Sequence, residues 1–352
     1  MKKATKLLAL VLACLMMTSI LSGCGSNGTT TDNGDNGTEN TGSGEPEYVI
    51  RYSHVQGTGT PTHQAMEWLK SWLEEQSDGR VTMEIFPAGQ LYDDSTEIDA
   101  ITAGNIDMIS TYISKLTTLD TSMQYSIAPF LFDSTEQMLD CFADPDVQSK
   151  LFKNLEAQGI KVMGAFYGGD VMLFSAKKDI RTPADFKGMK VRENVGPMSI
   201  AQYEAMDASA ITVAYGELYT GLNSGLCDAV CTTLDGVTAI ALQEVLSYGL
   251  NLNHQQACYL IQFNADTFNS YPQDVQDLIT EGIALASEKE LEICRENRES
   301  YISEIEAGGC TIHDATEDEL AQFHALWDPI TEEYVPADWM ETIQNFKANY
   351  QG

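Results

Sequence analysis

The sequence predicts an α/β protein of two lobes braced by one long helix. Three observations carry that expectation. Between residues 48 and 109, strand-like and helix-like segments alternate as β-α-β-α-β, the order of a three-layer α/β lobe. The same alternation restarts near Ile160 and runs to residue 264. From Pro272 to about Ala307 there is no further proline and only Gly282 interrupts, so a single helix there is too long for one small lobe and can brace two.

Each element has its own signal. Tyr48 to Ser53 reads as a strand of β-branched and aromatic residues. A helix follows, with Thr60 at its cap, Pro61 at its first position and Gly79 just past its end. Ala65, Trp68, Leu69, Trp72 and Leu73 share one face of it, suited to packing on a sheet. Val81, Met83 and Ile85 alternate as a strand that Pro87 stops. A helix through Ile98 and Ile101 ends near Gly104, and Ile106–Ile109 forms the next strand. Further strands are expected at 160–167, 171–175, 188–192, 210–214, 227–231 and 258–264, with helices at 197–206, 216–224 and 235–246. The tail, from Glu317 to Phe346, adds helices around Trp327 and Trp339. The predicted division is 47–169 plus about 258–297 in lobe I and 170–257 plus about 298–352 in lobe II. Roughly 300 residues suffice for two cores.

The N-terminus sets the compartment. Lys2, Lys3 and Lys6 precede an apolar run from Leu7 to Met17, followed by Leu21-Ser22-Gly23-Cys24. The run is too short to stay as a membrane anchor, and residues 1–23 resemble a bacterial lipoprotein signal peptide with lipid on Cys24. The other reading is an ordinary secretory signal with an incidental cysteine. Residues 24–46 are rich in Gly, Asn, Thr and Ser and form a flexible tether. Losing the three signal lysines takes the formal charge from −32 to −35. Such a surface repels nucleic acid and gains nothing from anionic lipid. Of eight cysteines, Cys141, Cys227, Cys231, Cys258, Cys294 and Cys310 lie in the body, at spacings too irregular for a compact disulfide framework. Cys227 and Cys231 are either a pair or two small buried residues. The five histidines are scattered singly, and no Ser/His/Asp order, phosphate loop, metal pair or cofactor motif emerges. An enzyme is therefore not expected. Two exported lobes with a cleft between them suit a small molecule.

Seven segments in register then carry a resemblance. PAGQL at 87–91, followed by Asp93-Asp94, AGNIDM at 103–108, APFLF at 128–132, TPADFKGMKVR at 182–192, YGELYTGLNSGLCDA at 215–229, NHQQACYLIQFN at 253–264 and YPQDVQDLI at 271–279 resemble the solute receptors of TRAP transporters, the DctP family. The resemblance covers about residues 48–350. It implies a periplasmic-binding-protein-like fold that closes on a carboxylate-bearing ligand and hands it to small and large membrane permease subunits driven by an ion gradient. It also implies a monomeric, lipid-anchored receptor outside the cytoplasm, without a cofactor or metal. Arg192 matches the arginine that clamps the ligand carboxylate in that family. An arginine fork makes two parallel charge-assisted bonds to a carboxylate, fixing orientation as well as adding affinity.

Departures from the family pattern bear on the ligand. Where many members carry a second arginine after the paired glycines, this chain reads Gly168-Gly169-Asp170-Val171-Met172. Where members often read GQEN after the aspartate matching Asp228, it reads Ala229-Val230-Cys231-Thr232, so Thr232 stands for a ligand-contacting asparagine. Both changes favour a monocarboxylate, such as a sugar acid or a hydroxy, keto or aromatic acid, over a dicarboxylate. His54, Val55 and Gln56 close the first strand where the first lobe meets ligand, with His54 either a donor or a satisfied buried histidine. Asp94 either faces the cleft or complements a helix dipole. Tyr112 and Tyr215 either wall the pocket or belong to the core. Glu217 reads as structural, and Glu193 and Asn194 follow the clamp directly. The candidate ligand-binding set is Arg192 with His54, Val55, Gln56, Asp94, Tyr112, Asp170, Met172, Tyr215, Thr232 and Asp235. The alternatives are an ABC-type or sensor-associated binding protein of the same two-lobed form, with a ligand that need not be an acid.

Overall fold

Alternation along the first strand places Ile50 and Tyr52 in the core, and a parallel neighbour extends the sheet from the same edge. The computed structural model describes residues 45–193 and 196–351, so the signal, nearly all of the tether, Cys24 and Asn194 lie outside the described residues. The strands in chain order are β1 (Tyr48–Ser53), β2 (Val81–Phe86), β3 (Met108–Tyr112), β4 (Ile160–Phe166), β5 (Val171–Ser175), β6 (Lys190–Arg192), β7 (Ser209–Ile211), β8 (Ala229–Thr233), β9 (Tyr248–Asn251), β10 (Tyr259–Asn264) and β11 (Thr311–Asp314). They form two sheets, ordered β2-β1-β3-β10-β4 and β11-β9-β5-β8-β6-β7. β1, β2 and β3 are parallel, while β10 runs antiparallel to β3 and β4. In the second sheet β6, β7 and β8 are parallel and β5 is antiparallel to both its neighbours. The fold is a two-lobed α/β architecture.

Several elements differ from expectation for physical reasons. The third strand begins at Met108 rather than Ile106, because Asp107 turns back to accept from the backbone N–H of Arg51 at 2.8 Å and to pair with its guanidinium. The helix expected at 235–246 ends at Ala239, and Ala241 takes a left-handed φ of 56° before a short 3-10 turn at Leu242–Glu244. β9 and β11 escape a pattern search because each is four residues long and carries a polar residue or glycine. All six body cysteines are buried as free thiols, so the reading of Cys227 and Cys231 as small buried residues holds.

The helix Gln273–Ala307 runs unbroken for 35 residues, about 50 Å at the α-helical rise. Its Val275, Ile279, Ile283 and Ala286 join the core under the first sheet, and Ile305 joins the core of the second. One element thus serves both lobes. Gly282 does not interrupt it. A Cβ there would lie 2.7 Å from Leu69 and 2.8 Å from Trp72, so glycine lets the helix Pro61–Gln76 approach closely. The last helix, Ala337–Asn349, departs from the expected grouping of 298–352 with the second lobe. Its Trp339 and Ile343 are buried in the first lobe's core, and Trp339 meets Tyr125 edge-on at 5.8 Å.

The chain crosses between the lobes at Tyr167–Asp170 and at 253–258, and the two crossings pair. Asp170 bridges Gln256, and the Ala257 N–H donates to the Gly169 carbonyl at 3.1 Å. The long helix pins them, because Glu290 accepts from the backbone N–H groups of Tyr167 at 3.0 Å and Gly168 at 3.1 Å.

Gly282→Ala tests the close approach. Helix propensity alone favours alanine by about 1 kcal/mol, but overpacking costs about 1–3 kcal/mol. Urea denaturation should therefore show a net loss of up to about 2 kcal/mol. A gain in stability would mean that the two helices separate freely.

Candidate functional site

Four strands, two from each sheet, end on one cavity. Val55 and Gln56 follow β1, Tyr112 ends β3, Arg192 ends β6, and Thr232 and Thr233 end β8. Space outside the carboxyl ends of parallel strands is where open α/β sheets take ligands. The cavity holds about 800 Å³ including its open mouth.

Arg192 is fixed by its sheet register, opposite Ile211 of β7 and Val230 of β8. It is 4 % exposed, and its Nε donates to the Val213 carbonyl at 3.0 Å. Among the described residues no carboxylate lies within ion-pair distance of it, Asp94 across the cavity being the strongest charge acting on it. Burial lowers its proton affinity, yet guanidinium stays charged at neutral pH. A buried charge without an ion partner is costly, and an entering anion relieves that cost.

The first-lobe wall is built around Asp94, Lys115 and Gln56. Lys115 Nζ pairs with Asp94 at 3.1 Å, both side chains being partly buried. His54 does not line the cavity. It is fully buried behind Gln56, with Nδ1 3.2 Å from Gln56 Oε1 and Nε2 3.1 Å from His63 Nδ1, and its ring stacks on Tyr52. Burial and the neighbouring His63 pull it down to about 3, so it stays neutral and orients Gln56. Tyr112 and Tyr215 both line the cavity. The Tyr112 hydroxyl accepts from Gln255 at 2.5 Å, and Tyr215 donates to the Gly236 carbonyl at 3.0 Å.

Two more expected residues lie elsewhere. Strand alternation turns Val171 toward the cavity and sends Met172 to the opposite face, into the core with Phe174 and Val213. Asp170 sits in the crossing, bound by the Tyr167 hydroxyl and by Arg298 of the long helix at 3.0 Å. It faces a separate hollow with Arg295 and Arg298. Asp228 accepts from the Lys190 N–H at 2.9 Å, and Glu217 is exposed. Val55, Gln56, Asp94, Thr232 and Asp235 do line the cavity with Arg192.

Sequence reasoning missed Thr60, Glu97, Lys115, Thr233 and Tyr259, which also line it. Lys115 lies one turn beyond Tyr112, which was the available signal. Glu97 gave none, since an acidic residue opening a helix usually faces water. Here it is buried, its Oε1 accepting from the Thr111 hydroxyl at 2.8 Å, and burial pushes it up to about 8. Burial likewise raises Glu193, which bonds Tyr203 and Ser199, to about 7, and Asp235 to about 6. Among the described residues no group of His, Cys, Asp and Glu is placed to hold a metal ion.

Comparison with known proteins agrees with this fold. The family model for DctP, bacterial extracellular solute-binding protein, family 7, matches residues 52–337. The C4-dicarboxylate-binding periplasmic protein DctP of Rhodobacter capsulatus is 26 % identical over 302 residues, 85 % of this chain and 90 % of that one. A TRAP periplasmic solute-binding protein from Sulfurospirillum deleyianum, with bound succinate, superposes with a TM-score of 0.79 at 24 % identity, over 85 % of this chain and 99 % of that one. Another from Anaerococcus prevotii, with bound D-glucuronate, gives 0.80 at 20 % identity, over 87 % and 100 %. At these identities the structures establish the fold.

The buried carboxyls set a pH dependence. Glu97, Glu193 and Glu290 hold their protons to about 8, 7 and 7 in the folded chain but release them near their ordinary values when unfolded. The folded state therefore binds more protons, and stability falls as pH rises through those values. His54 and His254, lowered to about 3 and about 4, act oppositely but only below the ordinary histidine value. Thermal denaturation of the ligand-free protein should give a falling Tm between pH 6.5 and 8, and Glu97→Gln should flatten that slope. A Tm constant or rising over that interval would contradict it.

Proposed function

The chain belongs to the DctP family of bacterial extracellular solute-binding proteins, and on that footing we propose that it captures a small organic acid in the interlobe cavity with Arg192 as the seat of the carboxylate. The observation that carries this reading is a buried guanidinium, lining a cavity, whose only hydrogen bond among the described residues is to a backbone carbonyl. Two forked N–H groups held without an anion suit bidentate capture of a carboxylate. Relatives of this fold holding succinate and D-glucuronate support the same class of ligand.

The ligand is a monocarboxylate. The family's second arginine is absent at Asp170, and the other cation in the cavity, Lys115, is already paired with Asp94. One anion therefore has one free seat. Binding acts by closure about the paired crossings at Tyr167–Asp170 and 253–258, ligand joining Arg192 on the second lobe to groups on the first. The body moving with the first lobe comprises 47–169, 258–297 and the final helix; 170–257 and 298–336 form the other. The closed receptor acts as a monomer, held by lipid on Cys24 and the tether, and delivers its ligand to the small and large TRAP permease subunits.

A thermal-shift screen of the signal-free protein against sugar, hydroxy, keto and aromatic acids tests the reading. A ligand at a hundred times its Kd adds about 2.7 kcal/mol of stability and a matching rise in Tm. Arg192→Lys keeps the charge but loses the fork, and should weaken a carboxylate by roughly 30-fold or more, about 2 kcal/mol. Silence across all acids, or hits that Arg192→Lys leaves intact, would overturn the assignment.

A further inference from the structure

The cavity has more carboxyl groups than a site for a simple anion needs. Its cations are Arg192 and Lys115, and its carboxyls are Asp94, Glu97, Glu193 and Asp235. Lys115 is satisfied by Asp94, and Glu193 is held by Tyr203 and Ser199. Glu97 is different. It is 1 % exposed, one oxygen accepts from Thr111, and Oε2 has no partner among the described residues. A buried acceptor left unmade costs free energy that a donor in the cavity would recover. Glu97 also stands on the first-lobe wall, whereas Arg192 stands on the second.

We propose that the ligand is zwitterionic, an amino acid or close analogue, with its carboxylate on Arg192 and its protonated amine on Glu97. The proposal rests on the reading of Arg192 given above and adds the second charge. An ammonium supplies three donors to a wall that presents the Glu97 carboxyl and the Thr60 hydroxyl, the Gln56 oxygen being taken by His54, and it places opposite ends of one molecule on opposite lobes. A hydroxy acid offers the same carboxylate but no charge to Glu97.

Proton balance gives the proposal its own signature. In the empty cavity the Glu97 carboxyl is neutral at neutral pH, raised by burial and by Asp94 and Asp93, with Thr111 and Lys115 acting the other way and the Tyr52 hydroxyl facing it from β1. When an ammonium docks, the carboxyl O–H ionises, its proton passes to solvent, and the ion pair forms. No other bond changes.

The experiment is isothermal titration at neutral pH in two buffers of different ionisation enthalpy, using amino acids and hydroxy acids matched in carbon skeleton. The amino member of the productive pair should bind at least about tenfold tighter and release about one proton. Glutamine reproduces the shape of the neutral carboxyl, so Glu97→Gln should fold normally. It should cost the amino acid about tenfold or more, leave the hydroxy acid within about threefold, and abolish proton release. Hydroxy acids that bind as well as their amino partners, or amino acids that release no proton and ignore Glu97→Gln, would overturn the zwitterion alone. Failure of every carboxylate, amino or hydroxy, would instead bring down the Arg192 reading and this inference with it.

Discussion

Everything in the site follows from one constraint: a guanidinium is buried where no carboxylate among the described residues pairs with it. The residue beside it in sequence, Glu193, is an obvious candidate to neutralise it. Instead Glu193 is turned into bonds with Tyr203 and Ser199 and raised by burial to about 7. Asp94, the strongest charge acting on Arg192 from across the cavity, is taken by Lys115. An acidic chain of formal charge −32 thus keeps one cation available by occupying or protonating the carboxyls around it. Long-range attraction cannot bring an anion to such a surface. Screening confines that penalty to about 8–10 Å at physiological salt, so recognition rests on the few groups inside the cavity.

The same region couples the cavity to the crossing between lobes. Gly168 has a left-handed φ of 67°, and a Cβ there would lie 2.5 Å from the Tyr259 ring. Tyr259 in turn lines the cavity and meets Tyr112 edge-on at 5.4 Å. Glu290 fixes the backbone of the crossing, and Arg298, two turns further along the same helix, fixes Asp170. The bend between lobes is therefore packed against a side chain that touches ligand space. A rigid brace and a glycine pair beside it concentrate any rotation into a few backbone angles.

What the sequence made legible divides along the same lines. Arg192 was readable because a strand end, a turn and a motif agree on one residue, and the β-α-β order of the first lobe was readable because its helices and strands keep their periods. Met172 was misplaced by a single step of strand alternation, which exchanges core for cavity. Gly282 read as the one interruption of a single long helix because propensity is local, while its role in admitting Leu69 and Trp72 comes from a helix more than 200 residues earlier in the chain. Asp170 looked like a missing ligand contact and proved to be an ion pair with the long helix. The final helix was assigned by sequence proximity, and its tryptophan is buried in the other lobe. Glu97 could not be read at all and Lys115 only by its place one turn beyond Tyr112, since their charge states and partners depend on which elements the fold brings around them.

That last point bears on how closure is driven. A ligand shifts a two-state equilibrium only by its differential affinity for the two states, so contacts confined to one lobe give none. Moving a population from 1:99 to 99:1 takes about 5.5 kcal/mol of such preference. On the proposed reading, Arg192 on the second lobe would supply binding in either state if it is reached from the mouth. The preference for the closed state would then, on the same reading, come from the opposite wall, which presents Gln56, Thr60 and Glu97 to the same cavity. On that proposal the arginine would secure the ligand, and the first-lobe wall would decide whether securing it closes the protein.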